Sequence, residues 1–229
     1  MTVLALVPTI RELDALVAAF DHMGLTGEPV KLGRLEAISY LSGRAVVVEG
    51  GLGKAQFATH TLHSIEAMSV VTVAMCIGSA GGLSPDLAIG DVIVATETVE
   101  HDFNRNLIPG PVPEFAGDLR SIAAMQEAEA FNTLPFSVHF GRVASGDESI
   151  VTTSRANELR DTTGAVAAAW EGAGGARASK FADVPFLEVR GISDMADEEA
   201  ESVFFENIPA TMKNLAIFLN KFIILMSPA

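Results

Sequence analysis

One carboxylate, Glu171, sits in the run AAAWEGAGGARA (Ala167 to Ala178), among small apolar residues and beside Trp170, the only tryptophan of the chain. A carboxylate taken out of water needs hydrogen bonds, a cation or a helix N-terminus, so this one marks either a helix start or a working group. A helix beginning near Trp170 would place Glu171 in its first turn, with Gly172, Ala173, Gly174 and Gly175 allowing close packing. On this segment alone the two readings weigh equally. Asp194 stands in EVRGISDMAD (Glu188 to Asp197), four positions after Arg190. The pair suits a simple ion pair, or a carboxylic acid held by a cation and ready to pass on a proton. Asp197 reads as a helix cap or a solvated loop residue. Glu12 follows Thr9 in the T-x-x-E pattern of a capping box, a structural role that accounts for both residues. In GSAGGL (Gly78 to Leu83), glycines let the backbone approach a ligand and expose N–H donors, and Ser79 adds a hydroxyl, which suits a ribose oxygen or an anion. It is neither G-x-G-x-x-G nor a Walker loop, and taken alone a tight turn is the simpler reading.

These residues need elements to carry them. Val3 to Val7 is a continuous apolar run, expected of a strand buried on both faces. Helical spacing follows at Ile10, Leu13, Leu16 and Val17. Ala37 to Leu41 and Ala45 to Val48, separated by Ser42-Gly43-Arg44, predict a β-hairpin. Residues 55–68 predict a helix after Gly50-Gly51-Leu52-Gly53, and Val70 to Ile77 a central strand leading into GSAGGL. Further strands are expected at 91–99, 136–143 and 186–189, and helices at 119–130, 153–160, around Glu171, and from about Ile208. Residues 101–117, rich in proline and without a period, predict a long loop of the kind that serves a site. Strands alternating with helices argue an α/β fold: one domain spanning 1–229, three-layer αβα, with a central mixed, largely parallel twisted sheet. In such sheets ligands sit where strands end and glycine-rich turns open onto helices.

Composition narrows the function. With 49% hydrophobic and 19% charged residues, the 229-residue chain is globular rather than disordered. A net charge of -14 (29 acidic, 15 basic) opposes binding to nucleic acid or anionic membranes, which need a basic surface. The single cysteine, Cys76, lies in apolar AMCIGSA and reads as a core thiol, which fits a cytoplasmic location. The N-terminus lacks the basic leader of a signal peptide, and LAIFLNKFIILM near the C-terminus, interrupted by Asn220 and Lys221, falls short of a membrane span. The five histidines (His22, His60, His63, His101, His139) form no ligand cluster, and His60 with His63 reads as a surface pair on a helix. No metal or other cofactor is expected.

Taken in order, GGLGK (Gly50 to Lys54), GSAGGLSPDLAIGDVIVA (Gly78 to Ala95), SGDESI (Ser145 to Ile150), WEGAG (Trp170 to Gly174) and VRGISDMAD (Val189 to Asp197), together with the strand and helix holding Glu12, resemble the 5′-methylthioadenosine/S-adenosylhomocysteine nucleosidases of the nucleoside phosphorylase superfamily. The resemblance covers nearly the whole chain. It implies cleavage of the bond between a purine and its ribose. Glu12 would activate the attacking water, Asp194 would protonate the purine at N7, and Glu171 would hydrogen-bond the ribose hydroxyls. Ser79, with Ala80 and Gly81, would lie near the ribose. The backbone around Ser149 and Ile150 would hold the adenine edge beside Ser193, and Leu52 and Phe204 would flank the 5′ substituent, with Arg190 behind the carboxylates. The residue types agree with such chemistry, since glycoside cleavage builds positive charge on the sugar and negative charge on the departing base. The resemblance also implies a homodimer whose 101–117 loop helps close the neighbouring site.

Departures from the pattern bear on the substrate. Where the family usually reads V-E-M-E, this chain has Ala168-Ala169-Trp170-Glu171, and where an aromatic residue commonly stacks on adenine it has Ser149. Trp170 is expected to supply part of the missing apolar contact. Ala74 to Ile77 lacks the arginine of related phosphorylases, which favours water over phosphate, although Arg34 and Arg44 keep phosphorolysis as an alternative. Asp194 points to adenine, whereas the Pro8-Thr9-x-x-Glu12 start resembles futalosine hydrolases. A non-catalytic nucleoside-binding relative is disfavoured because all three acids are retained.

Overall fold

β1 (Val3–Val7) is buried at all five positions, as a strand covered on both faces must be. It lies parallel to β4 (Ala45–Glu49) on one side and β5 (Val73–Gly82) on the other. The computed structural model describes residues 2–103, 107, 110–127 and 133–226. The expected hairpin is present as β3 (Leu35–Tyr40) antiparallel to β4, and an additional strand, β2 (Glu28–Leu32), extends it at the sheet edge.

On the other side of β5 the sheet closes on itself. β10 (Phe186–Asp194) runs parallel to β5 and antiparallel to β6 (Val92–Glu100). β6 is parallel to β8 (Val138–Ser145), β8 is parallel to β9 (Ala165–Ala169), and β9 returns to β5 by a short antiparallel pairing at Gly81 and Gly82. The short β7 (Glu114–Ala116) pairs with β6. Closure removes the free edge that this end of the sheet would otherwise present.

Helices cover both faces. α1 (Ile10–His22) and α6 (Ala200–Leu225) share a core with β1, β5 and β10 built on Leu16, Phe20, Met212, Leu215 and Phe218. α3 (Leu119–Glu127) joins that core through Ile122 and Met125. α2 (Gly53–Ala67) and α5 (Gly172–Phe181) pack together on the opposite face around Phe57 and Ala176. α4 (Thr153–Thr163) lies against β8 and β9.

Four readings are corrected. GSAGGL is not a turn: Gly78 to Gly82 continue β5, held extended by β10 on one side and β9 on the other. The segment before Trp170 is a strand, β9, and the last strand runs on from Val189 to Asp194. α6 begins at Ala200 rather than near Ile208; Pro209, of a type favoured in first turns, lies inside it. At 26 residues α6 is long and apolar enough by length and composition to cross a membrane, yet half of its most apolar window is buried in this fold, as in a core helix. The expected loop at 101–117 and the end of the helix expected to reach residue 130 lie partly outside the described residues.

Candidate active site

Six strand ends deliver residues to one cavity of about 610 Å³. Thr9 and Glu12 follow β1, and Leu52 follows β4. Ser79, Ala80 and Gly81 lie on β5 itself. Glu148, Ser149 and Ile150 follow β8, Trp170 and Glu171 follow β9, and Asp194 ends β10. Phe204 and Phe205 from the first turns of α6 complete the wall. The position agrees with the rule that α/β sheets bind ligands beyond the carboxyl ends of their strands.

Glu12 is 3% exposed and accepts four hydrogen bonds. Its Oε2 takes the Thr9 N–H at 3.1 Å and the Thr9 hydroxyl at 2.7 Å, and its Oε1 takes the Ser79 N–H and hydroxyl, both at 2.7 Å. The capping box is present. Here one carboxylate serves the helix start and the cavity together, so the structural and functional readings coexist. Every partner donates, which suits a carboxylate whose oxygens act as acceptors.

Glu171 is the N-cap of α5, one position before the expected first turn, and its side chain does not cap that helix. Its Oε1 accepts the N–H of Gly53, the first residue of α2, at 3.2 Å. It therefore satisfies an orphan donor at the start of the neighbouring helix, where the dipole is positive. Gly53 has φ of 74°, which only glycine adopts without strain. The Ser145 hydroxyl accepts the Ala173 N–H at 3.0 Å and donates to the Trp170 carbonyl at 2.9 Å, fixing the turn that carries Trp170 and Glu171. The Oε2 of Glu171 accepts Arg190 Nη2 at 3.1 Å. Burial raises the proton affinity of Glu171, opposed by the Arg190 guanidinium and reinforced by Glu12.

Arg190 does not hold Asp194. The expected pairing is replaced by bonds to Glu171 and to Glu188, the latter at 2.8 Å from Nε, with Nη1 donating to the Ser79 carbonyl at 3.2 Å. Asp194 is held by the Ala196 N–H at 2.9 Å and the Ser193 hydroxyl at 2.8 Å. A β-bulge decides its direction: Ile192 pairs with Ala80 and Asp194 with Gly81, leaving Ser193 as the extra residue. Burial raises the Asp194 carboxyl above its ordinary range, against the lowering effect of its two donors and with a smaller push from Asp197.

Of the thirteen expected residues, Glu12, Leu52, Ser79, Ala80, Gly81, Ser149, Ile150, Trp170, Glu171, Asp194 and Phe204 line the cavity, and Arg190 reaches it from behind the two glutamates. Ser193 is the exception. It is fully buried and supports Asp194 instead of facing the cavity. Thr9, Glu148 and Phe205 also line the cavity and were not foreseen as site residues. The T-x-x-E pattern was a signal for Thr9; Glu148, clamped by Arg155 at 2.8 Å through both oxygens, had none. Among the described residues no group of three or more His, Cys, Asp or Glu side chains is arranged to hold a metal ion. Two buried carboxyls with a raised proton affinity and a third wrapped in donors can divide acid, base and charge-stabilising work within one pocket.

Comparison with known proteins follows the same line. The family model of the phosphorylase superfamily matches residues 2–224. The chain is 31% identical over 182 residues to the 5′-methylthioadenosine/S-adenosylhomocysteine nucleosidase of Exiguobacterium sp., covering 76% of this chain and 77% of that protein. The crystal structure of the Helicobacter pylori 5′-methylthioadenosine/S-adenosylhomocysteine nucleosidase with butyl-thio-DADMe-Immucillin-A superposes with a TM-score of 0.85 at 26% identity, covering 98% of each chain. The native futalosine hydrolase of Helicobacter pylori superposes with a TM-score of 0.83 at 27% identity, covering 98% of this chain and 97% of that one. Matched along nearly its whole length, the chain belongs to the phosphorylase superfamily and, within it, to the 5′-methylthioadenosine/S-adenosylhomocysteine nucleosidase family.

Proposed function

We propose that this protein hydrolyses the N-glycosidic bond of a 5′-substituted adenosine, such as 5′-methylthioadenosine or S-adenosylhomocysteine, and releases adenine. The observation that carries the reading is the convergence of Glu12, Glu171 and Asp194 on one cavity from three separate strand ends. In the proposed step Glu12 takes a proton from water as the water oxygen bonds to the anomeric carbon. The bond from that carbon to the purine breaks, its electron pair leaves with the base, and Asp194 delivers a proton to purine N7. Glu171 accepts hydrogen bonds from the ribose hydroxyls and offsets the positive charge that builds on the sugar.

Phosphorolysis is the weaker reading. Among the described residues Arg190 is the one cation on the cavity wall, and it is already engaged by two carboxylates, so no described wall residue offers a free guanidinium or ammonium to an inorganic phosphate. A second hydrolytic reading, aminofutalosine as the nucleoside, is favoured by Pro8 and Thr9 on the wall and by the likeness to futalosine hydrolase. It leaves the chemistry at the glycosidic bond unchanged. A cytoplasmic location and a homodimer belong to the same proposal; the homodimer is supported by exposed apolar side chains at Leu52 on the cavity wall and at Phe103 and Val112 in the 101–117 segment.

The test is adenine release from methylthioadenosine in phosphate-free buffer, compared with adenosine and aminofutalosine. Release that needs no phosphate is expected. Absence of release from all three, or strict dependence on phosphate, would overturn the reading.

A further inference from the structure

Behind Glu171 lies another buried carboxylate, one that is not on the wall of this cavity. Glu188 is 1% exposed and stands two residues before Arg190 on β10, so both side chains leave the same face of the strand. One of its oxygens accepts Arg190 Nε at 2.8 Å and the other accepts the Thr98 hydroxyl at 2.5 Å. The same guanidinium gives Nη2 to Glu171 and Nη1 to the Ser79 carbonyl. Ser79 in turn holds Glu12 by its N–H and hydroxyl. The backbone is shaped to this arrangement: a Cβ placed on Gly172 would fall on the Glu188 carboxylate.

A buried ion cluster is poor evidence for stability, because apolar side chains of similar volume commonly serve the fold as well or better. Charge gives a better account. Arg190 with Glu171 alone would be a neutral pair, and the guanidinium would compete with a sugar for the charge of that carboxylate. With Glu188 present the three groups carry one net negative charge.

We propose that Glu188 is a positioning residue for the reaction: it anchors Arg190 from behind so that one Nη reaches Glu171 and the other reaches Ser79, and it shares the guanidinium charge so that Glu171 keeps its own for the sugar. This rests on the hydrolytic reading given above. The groups that face Glu171 are Arg190 from β10, Glu12 from α1 and the Gly53 N–H from α2. Cys76 on β5 lies beside Glu188 in register, and burial keeps its thiol neutral.

The experiment is adenine release by wild type, Glu188→Gln, Glu188→Asp and Thr98→Val across pH, with thermal melts of each. Glutamine keeps the shape and removes the charge, so kcat is expected to fall about 10-fold to 100-fold with KM changed far less. The acid limb of kcat/KM, where Glu171 takes up a proton, should move to lower pH, because the guanidinium then acts on Glu171 alone. Aspartate keeps the charge but retreats from Nε, so kcat should fall while the acid limb stays. Valine at 98 should cause a smaller loss in the same direction as glutamine. A purely structural role would lower the melting temperature and the amount of active enzyme without moving the acid limb, and that outcome overturns the proposal. So does wild-type behaviour in Glu188→Gln. If Glu188→Gln does not fold, Thr98→Val decides: a smaller shift of the acid limb to lower pH is expected, and an unmoved limb with a lowered melting temperature overturns the proposal. No release by wild type would instead overturn the functional reading, and this inference with it.

Discussion

Ser79 donates to Glu12 Oε1 twice, from its backbone N–H and from its hydroxyl, each at 2.7 Å and across 67 positions of sequence. The N–H can point there because β5 runs extended through GSAGGL rather than turning, and the hydroxyl adds a donor that can rotate away when the carboxylate receives a proton.

Glu12→Gln should therefore lower kcat by about 10²-fold to 10⁴-fold, the usual contribution of a general base, with ligand binding largely kept. Ser79→Ala leaves the backbone donor in place and should cost less, about 10-fold in kcat, as for one hydrogen bond to a charged group. Steady-state adenine release with an inhibitor-binding control separates the two. An Ser79→Ala enzyme as impaired as Glu12→Gln would contradict the division of labour between N–H and hydroxyl.

Asp194 must hold a proton to act as the acid, and burial raises its proton affinity. The rate should thus fall as pH rises through a value above the ordinary aspartate range. The sign for stability follows: the fold bears a cost for ionised Asp194 above that value, and the cost is relieved as pH falls. Asp194→Asn should lose about 10²-fold to 10⁴-fold in kcat and melt no lower than wild type at pH 7. A variant that is both inactive and less stable would point to a structural role instead.

Trp170 lines the cavity beside Glu171, and Ser149 is also on the wall where an aromatic contact is absent. Removing the indole with Trp170→Ala should raise KM about tenfold, the equivalent of ~1.5 kcal/mol of lost apolar burial. If turnover and affinity both stay unchanged, the indole does not contact the nucleoside.

At Gly174 α5 packs against the backbone of α2: a Cβ there would overlap the Lys54 carbonyl, which cannot rotate away. Gly174→Ala should destabilise the protein by about 1–3 kcal/mol. Because Glu171 opens α5 and its bond partner Gly53 opens α2, adenine release should fall as well. A calorimetric melt and an activity assay on the same sample check both.

Several site features were readable before any coordinates. Glu12, Glu171 and Asp194 each carried a structural reading as well as a functional one, and the family resemblance is what joined them into one site, whereas the buried strand at Val3 to Val7 and the hairpin at 37–48 follow from local apolar pattern. The pairing of Asp194 with Arg190 was misjudged for a simple reason. Four residues along a regular strand put both side chains on one face about 13 Å apart, too far to meet, and the bulge at Ser193 then turns Asp194 off that face. β9, written AVAAA, has too little β-branched character to declare itself, and GSAGGL has a composition that favours turns. In both, pairing on neighbouring strands overrides local preference.

Residue types, their order and the apolar periods along the chain were enough to establish an α/β protein carrying three candidate acids, since those properties are local and survive in one dimension. Which acid pairs with which cation was settled only in three dimensions: the bulge at Ser193 aims Asp194 away from Arg190, and the neighbouring β5 and the start of α5 bring Ser79 and Glu171 onto the guanidinium that Glu188 holds from the same strand. Ion pairing falls off with distance through space, and the spacing of residues in sequence carries no record of that distance until the sheet closes.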